Sequence, residues 1–274
     1  KKKKIMRTYE EHYQACKHQY KIQNPDLEES KYKDLHDLRL DTDIFPKNEK
    51  YYEIVNAVSK AVNEKIENKD DLVENPWATH LNSWAEIDEI HDLFNFIMPD
   101  IEEKVFKSNA QIEHLHVYRN KQGAEPASSW IWHYDDCPNE FLKLVIYLKD
   151  VTEDSGSFQY LESDEGYFPM VPTNRTFPGH SGVPFYFPNK RIPKEEVDKR
   201  IEEGCKLKNL TGKIGTYALM SPNIYHRATV PEKTADPREC LFFFIRPALS
   251  KKPSYSDGIH SIKPEVNVKM YPLN

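Results

Sequence analysis

The apolar positions of this chain change period once, near residue 110, and that change separates a helical part from a strand part. Residues 9–23 are polar with scattered aromatics, a pattern that predicts an amphipathic helix. Between residues 51 and 66, Tyr51, Ile54, Val55, Val58, Val62 and Ile66 recur at helical spacing, leaving Glu53, Lys60 and Glu64 for solvent. Ser83 and Glu86 stand three apart before the stripe Ile87, Ile90, Phe94, Ile97 and Ile101. That spacing predicts a capping box opening a third helix, which Pro99 would kink or divide.

Beyond residue 110 the alternation is two. Residues 112–119 read as a strand closed by a turn at 120–123. Residues 130–136 (Trp-Ile-Trp-His-Tyr-Asp-Asp) favour an extended backbone, expected as one bend-free strand with His133 and Asp135 on one face and Trp132 and Tyr134 on the other. Residues 141–149 suit a buried strand, and a turn at Asp154-Ser155-Gly156 leads to another at 157–161. Three more strands are expected at 215–220, 224–229 and 239–246. Residues 162–206 interrupt the rhythm with six prolines and six aromatics; they read as a lid ending in a short helix between Pro193 and Gly204. Short strands separated by turns point to an antiparallel sandwich or barrel. The expectation is a mainly β chain with flanking α-helices, forming one domain over 1–274. Helical support occupies 1–108, a β core with the lid occupies 109–249, and a polar tail follows at 250–274.

Composition narrows the partners. Hydrophobic residues are 38% and aromatic residues 12%, so rings carry much of the core. A net charge of −6 argues against a nucleic-acid partner and leaves a small molecule as the expected one. No apolar run is long enough for a membrane span. Lys1 to Lys4 are followed by polar residues rather than an apolar signal core. Cys16, Cys137, Cys205 and Cys240 are scattered, without a Cys-x-x-Cys pair. A cytoplasmic chain with free thiols is the expectation.

The chemistry begins at His133 and Asp135, one nitrogen and one oxygen donor on a shared face. A non-haem Fe(II) site needs two imidazoles and one carboxylate on one side, with the opposite positions open. His226, on a strand roughly ninety residues later, suits the third position. His180 competes from a Pro/Gly-rich loop, and His114 and His116 form a second alternative with Tyr118 continuing their face. Arg238, about a dozen residues after His226, would be returned by a hairpin to clamp a carboxylate. Arg246 shares that face but lies about 26 Å further along an extended strand. In the lid, Arg175, Lys190 and Arg191 suggest an anionic small molecule, or are solvated surface.

Together, His133-Tyr134-Asp135, His226 and Arg238 resemble the His-x-Asp…His…Arg signature of the Fe(II)/2-oxoglutarate-dependent dioxygenases. Residues 116–119, 147–156, Gly215 and 226–229 resemble the phytanoyl-CoA hydroxylase-like branch, over roughly residues 111–248. The resemblance implies a double-stranded β-helix (jelly-roll, cupin-like core), an oxidoreductase with Fe(II) held by His133, Asp135 and His226, and 2-oxoglutarate and O2 as co-substrates. It implies that Arg238 holds the distal carboxylate of 2-oxoglutarate. Many relatives carry Ser or Thr two residues after that Arg; Cys240 stands there, so Thr229 or Tyr147, with Tyr118, is expected to help. Asp135 argues against halogenation, for which relatives replace the carboxylate by Gly or Ala. The implied reaction is hydroxylation, or else desaturation or cyclisation, of a carboxylate-bearing small molecule, with release of succinate and CO2. Arg175, His180, Lys190, Arg191 and Arg246 are the substrate-side candidates. The alternatives are a cupin-like metal protein without 2-oxoglutarate turnover, and an oxygenase acting on a protein or peptide.

Overall fold

The computed structural model describes residues 8–30, 35, 43–123, 125–126, 128–171, 173 and 186–255. Helices α1 (Tyr9–Gln23), α2 (Glu49–Glu67) and α3 (Asp88–Asp100) precede most of the strands, and α4 (Lys194–Glu202) follows the interruption. The strands are β1 (Leu72–Glu74), β2 (Ala78–Leu81), β3 (Asn109–Asn120), β4 (Leu142–Tyr147), β5 (Phe158–Glu162), β6 (Lys206–Leu210), β7 (Tyr217–Met220), β8 (His226–Ala228) and β9 (Glu239–Ala248).

Two antiparallel sheets result, one in the order β1-β2-β3-β9-β4-β7 and one in the order β6-β5-β8. The segment at His133 extends the smaller sheet by bridging to His226 of β8. Eight chain segments therefore pair as β3-β9-β4-β7 and His133-β8-β5-β6, an order that fits the expected double-stranded β-helix. Every residue of β4 is buried because both of its faces are covered. Leu142, Leu144 and Ile146 join Leu241, Phe243 and Ile245 under the helices, with Val55, Val58, Ile90 and Phe94. Val145 and Tyr147 point the other way and meet Phe158, Ile224 and Cys240 between the sheets. The helices thus cover one side of the larger sheet and leave its other side for the site.

Helix α1 has the predicted bounds, and its start is a capping box: Glu11 N donates to Thr8 Oγ1 at 3.1 Å and Thr8 N to Glu11 Oε2 at 2.9 Å. The box predicted at Ser83 and Glu86 does not form. Residues Ser83–Glu86 make a 3-10 turn with Trp84 buried, and α3 starts beyond Ile87, which supplies no side-chain cap. Burial of Trp84 and Ile87 turns the chain one step before the helix, so packing overrides the local signal. Pro99 lies in the last turn of α3, followed by a π-helical stretch at Ile101–Phe106, so the helix is divided there.

The bend-free strand at 130–136 is also corrected. Ser128–Trp130 is a 3-10 turn, His133 alone is bridged, and Asp136 adopts a positive φ of 57° that ends the extended run. The alternation survives: Trp132 and Tyr134 pack away from the site against Ile192, Val197 and Tyr225. In the interruption, α4 begins after Pro193 and is followed by Gly204 in a left-handed conformation, as expected; Lys206–Leu210 adds a strand not expected. Arg175 and His180 lie outside the described residues, as does most of the middle of the predicted lid.

Candidate metal centre

The His133 and His226 backbones exchange two hydrogen bonds, His133 N to His226 O at 3.0 Å and His226 N to His133 O at 3.1 Å. This narrow antiparallel pair sets the imidazoles side by side, with ring centroids 4.3 Å apart. Each ring is oriented by its own chain. His133 Nδ1 lies 2.8 Å from Ile131 O, and His226 Nδ1 lies 2.8 Å from Ile224 O. A carbonyl can only accept, so both Nδ1 atoms carry the proton and both Nε2 atoms present a lone pair.

Asp135 completes the set. Its Oδ1 is 3.7 Å from His133 Nε2 and its Oδ2 is 3.5 Å from His226 Nε2. The three ligand atoms lie within 4.8 Å of one another, the one such group of three or more His, Cys, Asp or Glu among the described residues. Adjacent donors around a transition metal with bonds of about 2.1 Å stand roughly 3 Å apart, so the two His–Asp separations of 3.7 and 3.5 Å would draw in by roughly half an ångström or more, and the widest pair further, to close the set on an ion. Asp135 N is tied to Pro222 O at 3.0 Å, which holds the carboxylate's chain against the loop before β8.

Burial drives the His226 pKa down to about 4, with Lys143 adding to the fall and Asp135 opposing it; burial and His226 lower His133 well below its ordinary value. Both imidazoles are therefore neutral near pH 7, as ligation requires. Burial would raise the Asp135 carboxyl, but Lys143, His226 and His133 outweigh it and hold the group far below the usual carboxylate range. The site offers two neutral nitrogens and one anionic oxygen, which suits a divalent cation.

Arg238, immediately before β9, is 2% exposed. Its Nη2 donates to Tyr118 Oη at 2.9 Å and reaches Asn120 Oδ1 at 3.5 Å, and the Tyr147 phenol, whose hydroxyl donates to Leu210 O at 2.7 Å, lies close by. Its Nε is buried without a partner, and no carboxylate among the described residues lies within ion-pairing distance. The neighbouring acid, Glu239, pairs instead with Arg119 at 2.7 Å. A guanidinium stays charged, and a charge buried among neutral groups is costly unless an anion meets it. The geometry therefore fits a ligand carboxylate. Gly156 helps place it: Arg238 N donates to Ser155 O at 2.8 Å, and Gly156 follows at φ +87°, where a Cβ would stand 2.8 Å from Thr229 O.

The remaining candidates divide. Tyr118 and Tyr147 meet Arg238, while the Thr229 hydroxyl is used on Ser157 O at 3.1 Å. Arg191 is bridged to His133 through the backbone, and Tyr134 N donates to Lys190 O at 3.3 Å, so the main chain of both runs beside the triad. Burial lowers both, and Asp135 opposes the fall in each. Arg246 pairs with Glu113 at 3.2 Å and Gln111 at 2.9 Å further along β9. His116 stacks on Phe242 and His114 lies edge-on to Phe244, so neither joins the triad. Lys143, which sequence reasoning passed over within a hydrophobic run, donates to Asp135 Oδ2 at 2.8 Å. A lysine in a strand with both faces covered was the available signal.

No family model and no curated protein matches the chain. Solved structures do. The epimerase SnoN in complex with Fe3+, alpha-ketoglutarate and nogalamycin RO is 13% identical, covering 77% of this chain and 84% of that one at a TM-score of 0.49. EctD from S. alaskensis with bound Fe is 16% identical over 76% and 72%, at 0.44. HygX from Streptomyces hygroscopicus with nickel, 2-oxoglutarate and hygromycin B is 13% identical over 70% and 78%, at 0.44. None of the helices described is long and apolar enough to cross a membrane.

Proposed function

We propose that this chain is an Fe(II)- and 2-oxoglutarate-dependent oxygenase that oxidises an unactivated C–H bond of a small carboxylate-bearing molecule, releasing succinate and CO2. The observation that carries the reading is the combination of a two-imidazole, one-carboxylate triad with a buried Arg238 that lacks an acidic partner among the described residues. Either feature alone fits many proteins; together they match a metal-chelating dicarboxylate.

In this reading His133, Asp135 and His226 would hold the iron through two nitrogens and one carboxylate oxygen. Bound iron supplies dioxygen activation coupled to oxidative decarboxylation. Arg238 takes the distal carboxylate of 2-oxoglutarate, with the Tyr118 and Tyr147 hydroxyls beside it. Phe158, stacked on His226 at 5.2 Å, and Phe242, stacked on His116 at 4.3 Å, line the interior with rings and exclude water. Lys190 and Arg191 favour an anionic substrate on the triad's side, with hydroxylation as the default outcome.

The test is anaerobic thermal stabilisation by Fe(II) with 2-oxoglutarate, followed by aerobic succinate release against a pool of small acids. Stabilisation by both together and succinate above the uncoupled background are expected. Neither signal appearing would overturn the reading and leave a metal-binding cupin-like protein.

A further inference from the structure

Lys143 has no place in the expected ligand set, yet its ammonium sits against two of the three ligands. It lies on β4 in the row Lys143, Val145, Tyr147 that faces between the sheets, and its side chain is 7% exposed. Nζ donates to Asp135 Oδ2 at 2.8 Å and to His226 Nε2 at 3.3 Å. The rings of Phe242 and Phe244 close over it at 4.6 and 5.6 Å. The Nε2 lone pair of His226 is the one a metal needs, because Nδ1 is committed to Ile224 O. An ammonium and a divalent cation therefore compete for the same two atoms. They cannot share them, since like charges repel strongly at such distances in a buried site. Nζ rides on a flexible four-carbon stem and can leave while β4 stays in its ladder with β7 and β9.

A displaced ammonium in this interior still requires an anion. The row it belongs to ends at Tyr147, which meets Arg238, about 13 Å along the strand from Lys143. Between the two cations lie Val145 and Phe242, both apolar. The interior is thus built with a positive group at each end of an apolar stretch, which suits an acid bearing two carboxylates.

We propose that Lys143 is an exchangeable counter-ion. It holds Asp135 and His226 in ligating position until a divalent metal displaces it, and then pairs with the metal-side carboxylate of the co-substrate whose far carboxylate meets Arg238. The second half rests on the oxygenase reading; the first does not.

The experiment titrates the metal-stripped full chain with Mn(II) anaerobically by calorimetry, then titrates 2-oxoglutarate into the loaded protein. Lys143→Met keeps the stem and removes the charge; Lys143→Gln serves if the methionine variant does not fold, and Lys143→Arg keeps a cation. Removing the charge should tighten Mn(II) binding at least ten-fold and weaken 2-oxoglutarate at least ten-fold, while Lys143→Arg retains 2-oxoglutarate affinity to within a few-fold. Equal or weaker Mn(II) binding in the uncharged variant overturns the displacement. Unchanged 2-oxoglutarate affinity overturns the carboxylate role. A wild-type chain that binds Mn(II) but no 2-oxoglutarate overturns the oxygenase reading together with that role, and the Mn(II) titration still decides the displacement.

Discussion

His133 and His226 are joined by two backbone hydrogen bonds of 3.0 and 3.1 Å, and each ring donates from Nδ1 to the carbonyl two residues before it, Ile131 or Ile224. The two imidazoles are thus set by main chain, with no side-chain orienter needed to fix either tautomer. Substituting Ile131 or Ile224 should leave metal affinity nearly intact, whereas His133→Ala or His226→Ala should lower it by roughly 100-fold or more. Equilibrium dialysis with Mn(II) distinguishes these outcomes.

Asp135 is the sole anion of the triad and the acceptor of Lys143. Asp135→Ala removes the charge that balances the metal and leaves the lysine facing neutral groups. Succinate formation should disappear while the far-ultraviolet dichroism stays native; persisting turnover would exclude this ligand set.

Arg238→Lys tests the distal clamp more sharply than truncation does. A lysine keeps the charge but loses the planar fork, with its partnerless Nε, that could grip a carboxylate through two nitrogens. The KM for 2-oxoglutarate should rise by about ten- to 100-fold, equivalent to roughly 1.4–3 kcal/mol, with metal affinity unchanged. A fall in kcat alone would point to a different role.

Gly156 stands at φ +87° with Pro231 Cγ and Thr229 O each 2.8 Å from where a Cβ would be. Gly156→Ala combines backbone strain with a steric clash and should destabilise the fold by about 1–3 kcal/mol. The Ser155 carbonyl that receives Arg238 N should shift with it, so 2-oxoglutarate affinity falls alongside the melting temperature.

His80, on β2, stacks on Tyr118 at 5.4 Å and lies 6.2 Å from the His116 ring. Burial lowers its pKa to about 4, with Glu74 opposing and Lys121 adding to the fall. In the unfolded chain the same ring titrates near 6.5, so the unfolded state binds more protons between those values. Its contribution is fully present above about pH 6.5 and is lost as pH falls towards 4. His80→Gln should flatten the decline in stability across that window, on the order of 1–3 kcal/mol, in urea unfolding curves taken from pH 7 to 4.

The parts legible in the chain are those whose cause is local. A period of 3.6 or 2 states which side chains must share a face, so α1, α2, β3, β4 and β9 follow from their own residues. The His-x-Asp pair could be read for the same reason, because two positions apart on extended backbone point the same way. Lys143 was legible only as a lysine within a strand read as buried; its neighbours in sequence do not say that Phe242, Phe244 and Asp135 enclose it. The Ser83 box failed where the buried Trp84 overrode a short-range signal.

What the chain alone determined was the inventory: helices on one side, strands on the other, and ligand types suited to a divalent metal. Only tertiary structure decided the meeting of His133 with His226, the enclosure of Arg238 without a partner acid among the described residues and the ammonium laid against the ligands. Each depends on pairing between distant segments, where hydrogen bonds form once the sheets close and burial supplies the electrostatic consequence.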